Sequence, residues 1–386
     1  MAGMSSCVAL RIMLFPPCSL PGRRAPAPVW RHYSTHARPC RPRGAEFAPY
    51  AKFLYIFSLS IDFLLYFAYN YTLLNHVSVF IDGSAGTTGL RIRERLAARE
   101  DVELIELAEA ERKDIAKRKW ALNACDAAIL CLPDAAAREA VSMVENERTV
   151  VLDASTAHRT APGWAYGLPE LGKEALDAIL FSRRVAVPGC HASGFIALVA
   201  PLIKEGLLSP ETPLSCTSLT GYSGGGKKMI ADYREKGAAY DPPRPYGLAQ
   251  AHKHLPEMVK VCGLAAPPVF LPIVGNFYSG MLVSVPLHRA QLLHGAGMED
   301  VRAVYKNYYT GPVVAYRETL SQDGFASAGL LSGTDGMLIA CEGNAERFTL
   351  LAAYDNLGKG ASGAAVQLLN VKMGADMRAG LVLQEV

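Results

Sequence analysis

Val77-Ser78-Val79-Phe80-Ile81-Asp82 runs without a break into Gly83-Ser84-Ala85-Gly86-Thr87-Thr88-Gly89 and then into Leu90-Arg91-Ile92-Arg93-Glu94-Arg95-Leu96. The first six residues are apolar and β-branched enough for a buried strand, and the apolar positions 90, 92 and 96 allow a helix. Strand, glycine loop and helix in that order form the crossover that receives a dinucleotide pyrophosphate on a helix N-terminus. The glycines are spaced G-x-x-G-x-x-G instead of G-x-G-x-x-G, so the flanking elements carry the reading. They make Gly83, Ser84, Ala85, Gly86, Thr87, Thr88 and Gly89 candidate cofactor-binding residues.

The pattern then repeats. Val102–Leu107, Asp126–Pro133 and Thr149–Asp153 read as strands, with a helix over Ala135–Val144. Such alternation predicts an α/β chain with a Rossmann-type doubly wound parallel sheet, whose ligands bind at the strand C-terminal ends. Leu132 and Pro133 lie at one such end, and Arg159 follows another as a candidate partner for an anionic substrate. About 20 residues past the glycines, Glu106 and Glu109 are placed to hold a ribose 2′-hydroxyl, whereas Arg112 and Lys113 suit a 2′-phosphate. The residues alone leave NAD and NADP both open.

Val187-Pro188-Gly189-Cys190-His191-Ala192-Ser193-Gly194-Phe195 sets a cysteine between a short strand and an apolar helix whose expected start is at Ser193 and Gly194. A thiol near a helix N-terminus is expected to ionise more easily and to serve as a nucleophile. Gly221-Tyr222-Ser223-Gly224-Gly225-Gly226-Lys227-Lys228 reads as a flexible loop able to cradle a phosphate, with Ser223, Gly224 and Lys227 as substrate-binding candidates. His252 and His254, in Ala251-His252-Lys253-His254-Leu255-Pro256-Glu257, are acid/base candidates at the entry to a helix, with Glu257 complementing its dipole. No other ligand cluster accompanies them, so no metal is expected. Ser279–Leu287, Gly336–Cys341 and Arg347–Tyr354 alternate as strands of a second, α+β domain with a mostly antiparallel sheet, around a helix over Met298–Tyr309. Ala364–Met373 reads as a terminal helix.

The domain expectations are an extension over 1–75, a cofactor domain over 76–190, a substrate and oligomerisation domain over 191–354, and a C-terminal helical segment over 355–386. Met1–Tyr50 is rich in Arg and Pro with Glu46 as its only acid, which predicts disorder. The apolar stretch 53–74 carries one charge, Asp62. The preferred reading is leader sequence translated ahead of the functional protein, and membrane anchoring or organelle targeting are the alternatives. A net charge of +3 over 386 residues gives no case for nucleic acid. Nine scattered cysteines suit a reducing, cytoplasmic compartment.

From His76 onward the chain resembles the N-acetyl-gamma-glutamyl-phosphate reductases, in the short subfamily. The resemblance rests on Phe80–Gly89, Val187–Gly194, His252-Lys253-His254-Leu255-Pro256-Glu257 and Lys359-Gly360-Ala361-Ser362-Gly363. It implies NADPH as cofactor, Cys190 as catalytic cysteine, Lys359 and Gly360 beside the cofactor, a C-terminal helix returning to the first domain, and a homo-oligomer, dimer or tetramer. The implied reaction is reductive dephosphorylation of a small-molecule acyl phosphate, N-acetyl-L-glutamyl 5-phosphate, through a thioester on Cys190. His252 or His254 would protonate the oxyanion and take that proton back on collapse. Two other readings stand beside this one. An aspartate-semialdehyde dehydrogenase-like enzyme would act on a shorter acyl phosphate, and a non-catalytic NADP-binding sensor would not need Cys190 and the two histidines together.

Overall fold

The computed structural model describes residues 76–384. The expectations for 1–75 lie outside the described residues. Among those described, no helix is long and apolar enough to cross a membrane.

The first domain is a six-stranded sheet in the order β2-β1-β3-β4-β6-β5, all parallel, from β1 (Val77–Asp82), β2 (Val102–Ile105), β3 (Ala127–Leu130), β4 (Val150–Asp153), β5 (Ala165–Tyr166) and β6 (Arg184–Ala186). The chain passes from β1 to β2 on one side and back to β3 on the other. The crevice between those crossovers opens at the C-terminal end of β1. Helix α1 (Thr87–Ala97) buries Gly89, Ile92 and Leu96 along one face, a spacing that fits its period. Helices α2 (Ile115–Ala124), α3 (Asp134–Met143) and α4 (Lys173–Phe181) complete the alternation. The expected strand over 102–107 ends at Ile105, where its ladder with β1 runs out.

Helix α5 (Cys190–Lys204) is apolar on every side and lies in the core of the second domain. Its start corrects the sequence expectation: Gly189 is the N-cap and Cys190 the first helical residue, so Ser193 and Gly194 are already inside. Pro201 removes the N–H that the Ala197 carbonyl would accept, and the Tyr309 hydroxyl supplies a replacement at 2.5 Å.

The second domain's sheet runs β11-β14-β15-β10-β7-β9-β8. It joins β7 (Ser215–Gly221), β8 (Arg244–Pro245), β9 (Val269–Gly275), β10 (Met281–His288), β11 (Val314–Tyr316), β14 (Met337–Gly343) and β15 (Arg347–Tyr354). Only the β7/β9 and β11/β14 pairs are parallel, so the sheet is mixed and mostly antiparallel. A small hairpin of β12 (Ser321–Gln322) and β13 (Phe325–Ala326) stands apart. Helices α6 (Gly226–Glu235), α7 (Leu255–Cys262) and α8 (Met298–Tyr308) complete this domain. The stretch read as a flexible loop over 221–228 is instead a tight 3-10 turn, Tyr222–Gly225, running into α6. The last helix, α9 (Gly363–Met373), packs Ala365, Leu368 and Leu369 into the first domain's core with Val79, Ile92 and Leu152.

Candidate active site

Two cavities flank the glycine loop. The outer one, about 510 Å³, is lined by Gly83, Ser84 and Ala85, by Arg112, and by the apolar Leu104, Ile105, Leu132 and Ala136. The inner one, about 460 Å³, is lined by Gly86, Thr87, Thr88 and Gly89 together with Cys190, His252 and His254. Leu132 lines both. Pro133 lines neither and is the N-cap of α3.

Gly83 adopts φ +88° and a Cβ there would lie 2.3 Å from the Cys131 carbonyl oxygen, so only glycine turns this corner. Helix α1 then begins at an N-cap, Gly86, that offers no side-chain acceptor, and its first turn has no acid. Its leading N–H groups are left for an anion. With apolar walls for a base and cations at the rim, the cavity fits a dinucleotide. The acid expected at the ribose is not free: Glu106 is paired with Arg93, a residue the sequence reading did not single out.

Cys190 sits half-buried on the inner floor, at the first residue of α5. The His191 N–H, Arg159 and Lys253 all favour its thiolate, but burial outweighs them and the thiol stands above its ordinary value. The easy ionisation expected from the helix N-terminus is therefore corrected: the position helps, but desolvation is larger. Gly360 packs against this cysteine, and a Cβ there would come 3.0 Å from the Cys190 Cβ.

Glu257 organises the turn beneath the thiol. Its carboxylate accepts the Gly189 N–H (3.1 Å) and the Tyr166 hydroxyl (2.7 Å), and it pairs with Arg159 (2.8 Å), all with Glu257 only 1% exposed. Sequence reasoning gave Glu257 a dipole role at a helix start. It lies opposite the apolar face made by Leu255, Met258 and Cys262, which reads as solvent-facing, yet that side of α7 abuts the Gly189 turn. Arg159 is held by Val187 and Ala154 carbonyls as well as by Glu257. Three of its five N–H groups are committed, which leaves two for a ligand.

His191, His252, His254, Tyr246 and Phe270 form one aromatic cluster. His191 bonds Ser218 (2.7 Å) and the Tyr246 hydroxyl (2.8 Å), and burial pulls it down to about 3. His254 is driven well below its ordinary value by burial first and Arg159 next, and burial also lowers His252. The His252 Nδ1 accepts the His254 backbone N–H at 3.2 Å, whereas the buried His254 Nδ1 has no hydrogen-bond partner among the described residues.

Ser223 and Gly224 line the inner cavity, and Ser223 accepts a bond from Asn356. Two expected cations do not line it. Lys227 is exposed on α6, where the turn into helix points it elsewhere, and Lys253 lines the cavity instead. Lys359 is buried with its ammonium on Glu170 (2.7 Å), so no cofactor phosphate reaches it. Tyr246 and Asn356 were also missed and are brought in by the fold, and Lys253, between the two named histidines, was given no role.

Comparison with known proteins agrees with this architecture. Residues 78–179 match the semialdehyde dehydrogenase NAD binding domain, and residues 190–356 match the semialdehyde dehydrogenase dimerisation domain. N-acetyl-gamma-glutamyl-phosphate reductase of Trichormus variabilis is 45% identical over 322 residues, covering 80% of this chain and all of that protein. A Pseudomonas putida protein, N-acetyl-gamma-glutamyl-phosphate reductase 2, is 46% identical, covering 77% and 97%. Among solved structures, aspartate semialdehyde dehydrogenase II of Vibrio cholerae aligns with TM-score 0.59 at 15% identity, covering 77% and 98%. The Candida albicans aspartate semialdehyde dehydrogenase with NADP aligns with TM-score 0.53 at 14% identity, covering 79% and 99%. These two alignments support the fold.

Proposed function

The chain belongs to the N-acetyl-gamma-glutamyl-phosphate reductase family of semialdehyde dehydrogenases, and from that premise we propose that it reduces N-acetyl-L-glutamyl 5-phosphate to N-acetyl-L-glutamate 5-semialdehyde with NADPH, in arginine biosynthesis. The observation that carries the reading is Cys190 at the start of α5, on the floor of a cavity shared with the glycine loop, Arg159 and two neutral histidines.

Cys190 attacks the acyl carbon, phosphate departs, and a thioester remains on the sulfur. Because burial holds the thiol protonated, a base must take its proton. His254, neutral and lining the same cavity as Cys190, is assigned that task and passes the proton to the departing phosphate. When bound, the cofactor supplies a hydride to the thioester carbon. The His252 Nδ1 is occupied as an acceptor, so its proton rests on Nε2, and that N–H stabilises the oxyanion before it collapses to aldehyde and thiolate. The thiolate regains its proton from solvent. Arg159, Lys253 and the Ser223–Gly224 turn take the two anionic ends of the substrate. Gly83 to Gly89 and Arg112, with Leu132, hold the cofactor, and Gly360 keeps the wall beside the thiol close.

A homo-oligomer, dimer or tetramer, is part of the same proposal, supported by the dimerisation-domain match. A cytoplasmic setting is supported by the six described cysteines, all of them free thiols. The test follows NADP reduction by the full chain with N-acetylglutamate semialdehyde and phosphate, alongside aspartate semialdehyde. Phosphate-dependent turnover with the first and little with the second is expected. The reverse preference would move the chain to the shorter acyl phosphate.

A further inference from the structure

The outer cavity is lined by three acids, Asp82, Glu106 and Glu109, as well as by cations. Glu106 lies just past the end of β2, where an acid accepts ribose hydroxyls and repels a 2′-phosphate. Asp82, at the end of β1, also faces this space, but Arg118 holds it through two N–H bonds of 3.1 and 2.9 Å in a buried pair. Two cations, Arg112 and Lys113, and one acid, Glu109, line the same cavity without an ion-pair partner among the described residues. What decides the balance is the state of Glu106. Its carboxylate takes the Nε–H of Arg93, which reaches it from the middle of α1.

We propose that Arg93 sets the cofactor choice by neutralising Glu106, so that Arg112 and Lys113 outnumber the one acid left unpaired on that wall, Glu109, and together meet the 2′-phosphate. The inference rests on the NADPH reading above and adds the residue that makes it work. Arg93 is a specificity residue acting through Glu106. The Arg93 contact holds the Glu106 carboxyl below its ordinary range, with Arg112 contributing less, so the acid is fully ionised at neutral pH. Left alone it would bear a whole negative charge beside the phosphate. Arginine suits the role because it stays charged throughout the working pH range and its Nε–H reaches the carboxylate.

Equilibrium binding of NADPH and NADH to the full chain tests this without any acyl phosphate. Arg93→Ala is expected to lower the NADPH-over-NADH affinity ratio roughly tenfold, the size of one unscreened charge at a few ångströms in a solvent-rich site. Arg93→Lys, which keeps the charge, should retain most of the preference. Arg93→Ala combined with Glu106→Gln should restore it, because position 106 then has no charge to cancel. An unchanged ratio in Arg93→Ala overturns the inference. So does a double variant as poor as the single one, since Arg93 would then act on the phosphate directly. A wild-type chain that binds both cofactors equally would overturn the NADPH reading and the inference together, whereas a preference that survives Arg93→Ala overturns the inference alone.

Discussion

The two cavities that meet at Leu132 are built on different electrostatic terms. In the outer one, the Arg93–Glu106 pair is about half exposed, at 43% and 52%. In the inner one, Arg159 and Glu257 are 8% and 1% exposed and each is bonded to backbone as well as to the other. Water screens the first pair, and charges there bias which ligand binds while contributing little to the fold. The second pair is sealed, so removing one member leaves an unpaired charge in the protein interior. One cavity selects and the other positions, and substitutions should separate the two.

The largest effect belongs to the inner floor. Cys190→Ser should lose at least about 10³-fold in turnover while NADPH binding is retained, as expected when a covalent step is removed from a preserved site. Parallel kinetics and cofactor titration check it. Glu257→Ala comes next. It strands Arg159 and the Gly189 N–H, at a cost of about 3–5 kcal/mol in unfolding free energy by denaturant titration, together with activity. A loss below about 1 kcal/mol would mean that the pair is not sealed.

Acid should act on the inner cavity too. An unfolded chain protonates His191 near the usual 6.5, but the folded chain resists until about 3. The folded value is depressed, so stability is complete above pH 6.5 and falls as pH drops towards 3, by about 1.4 kcal/mol per pH unit for a ring of this kind. His254 adds to the same slope. Urea midpoints at pH 7.5, 6 and 5 should decline, and a flat series would contradict the buried neutral cluster.

Close packing makes a smaller contribution. A Cβ at Gly194 would fall 2.7 Å from the Tyr354 hydroxyl and 2.8 Å from Val283, so Gly194→Ala should cost about 1–3 kcal/mol. Smallest of all, Arg93→Ala should leave the unfolding midpoint where it is while changing the cofactor ratio. A large stability loss in that variant would erase the contrast between the cavities.

The same contrast explains what was legible in the sequence. The glycine turn of the outer cavity lies in one contiguous run, Val77 to Leu96, whose strand, turn and helix are each encoded locally, while the rest of its wall comes from residues between 104 and 136. The doubly wound sheet followed from its repeats. The inner cavity gathers Arg159, Cys190, Tyr246, the 252–257 segment and Gly360 from distant parts of the chain. Cys190 and the histidines announced their chemistry by residue type. Glu257 did not, because its burial depends on a turn 68 residues away. Lys359, placed beside the cofactor by resemblance alone, has its ammonium on Glu170, a partner that only the fold supplies. Local signals also overstated the thiol's acidity, since a helix N-terminus is visible in sequence and desolvation is not.

The central claim is an acyl group carried by Cys190. The full chain would be mixed with N-acetylglutamate semialdehyde and NADP in the absence of phosphate, quenched in acid, digested and weighed. An N-acetylglutamyl group on the Cys190 peptide, formed only with NADP and discharged when phosphate is added before the quench, is the predicted result. Turnover by the same preparation with no acylation, or with the acyl group on another residue, would contradict the account.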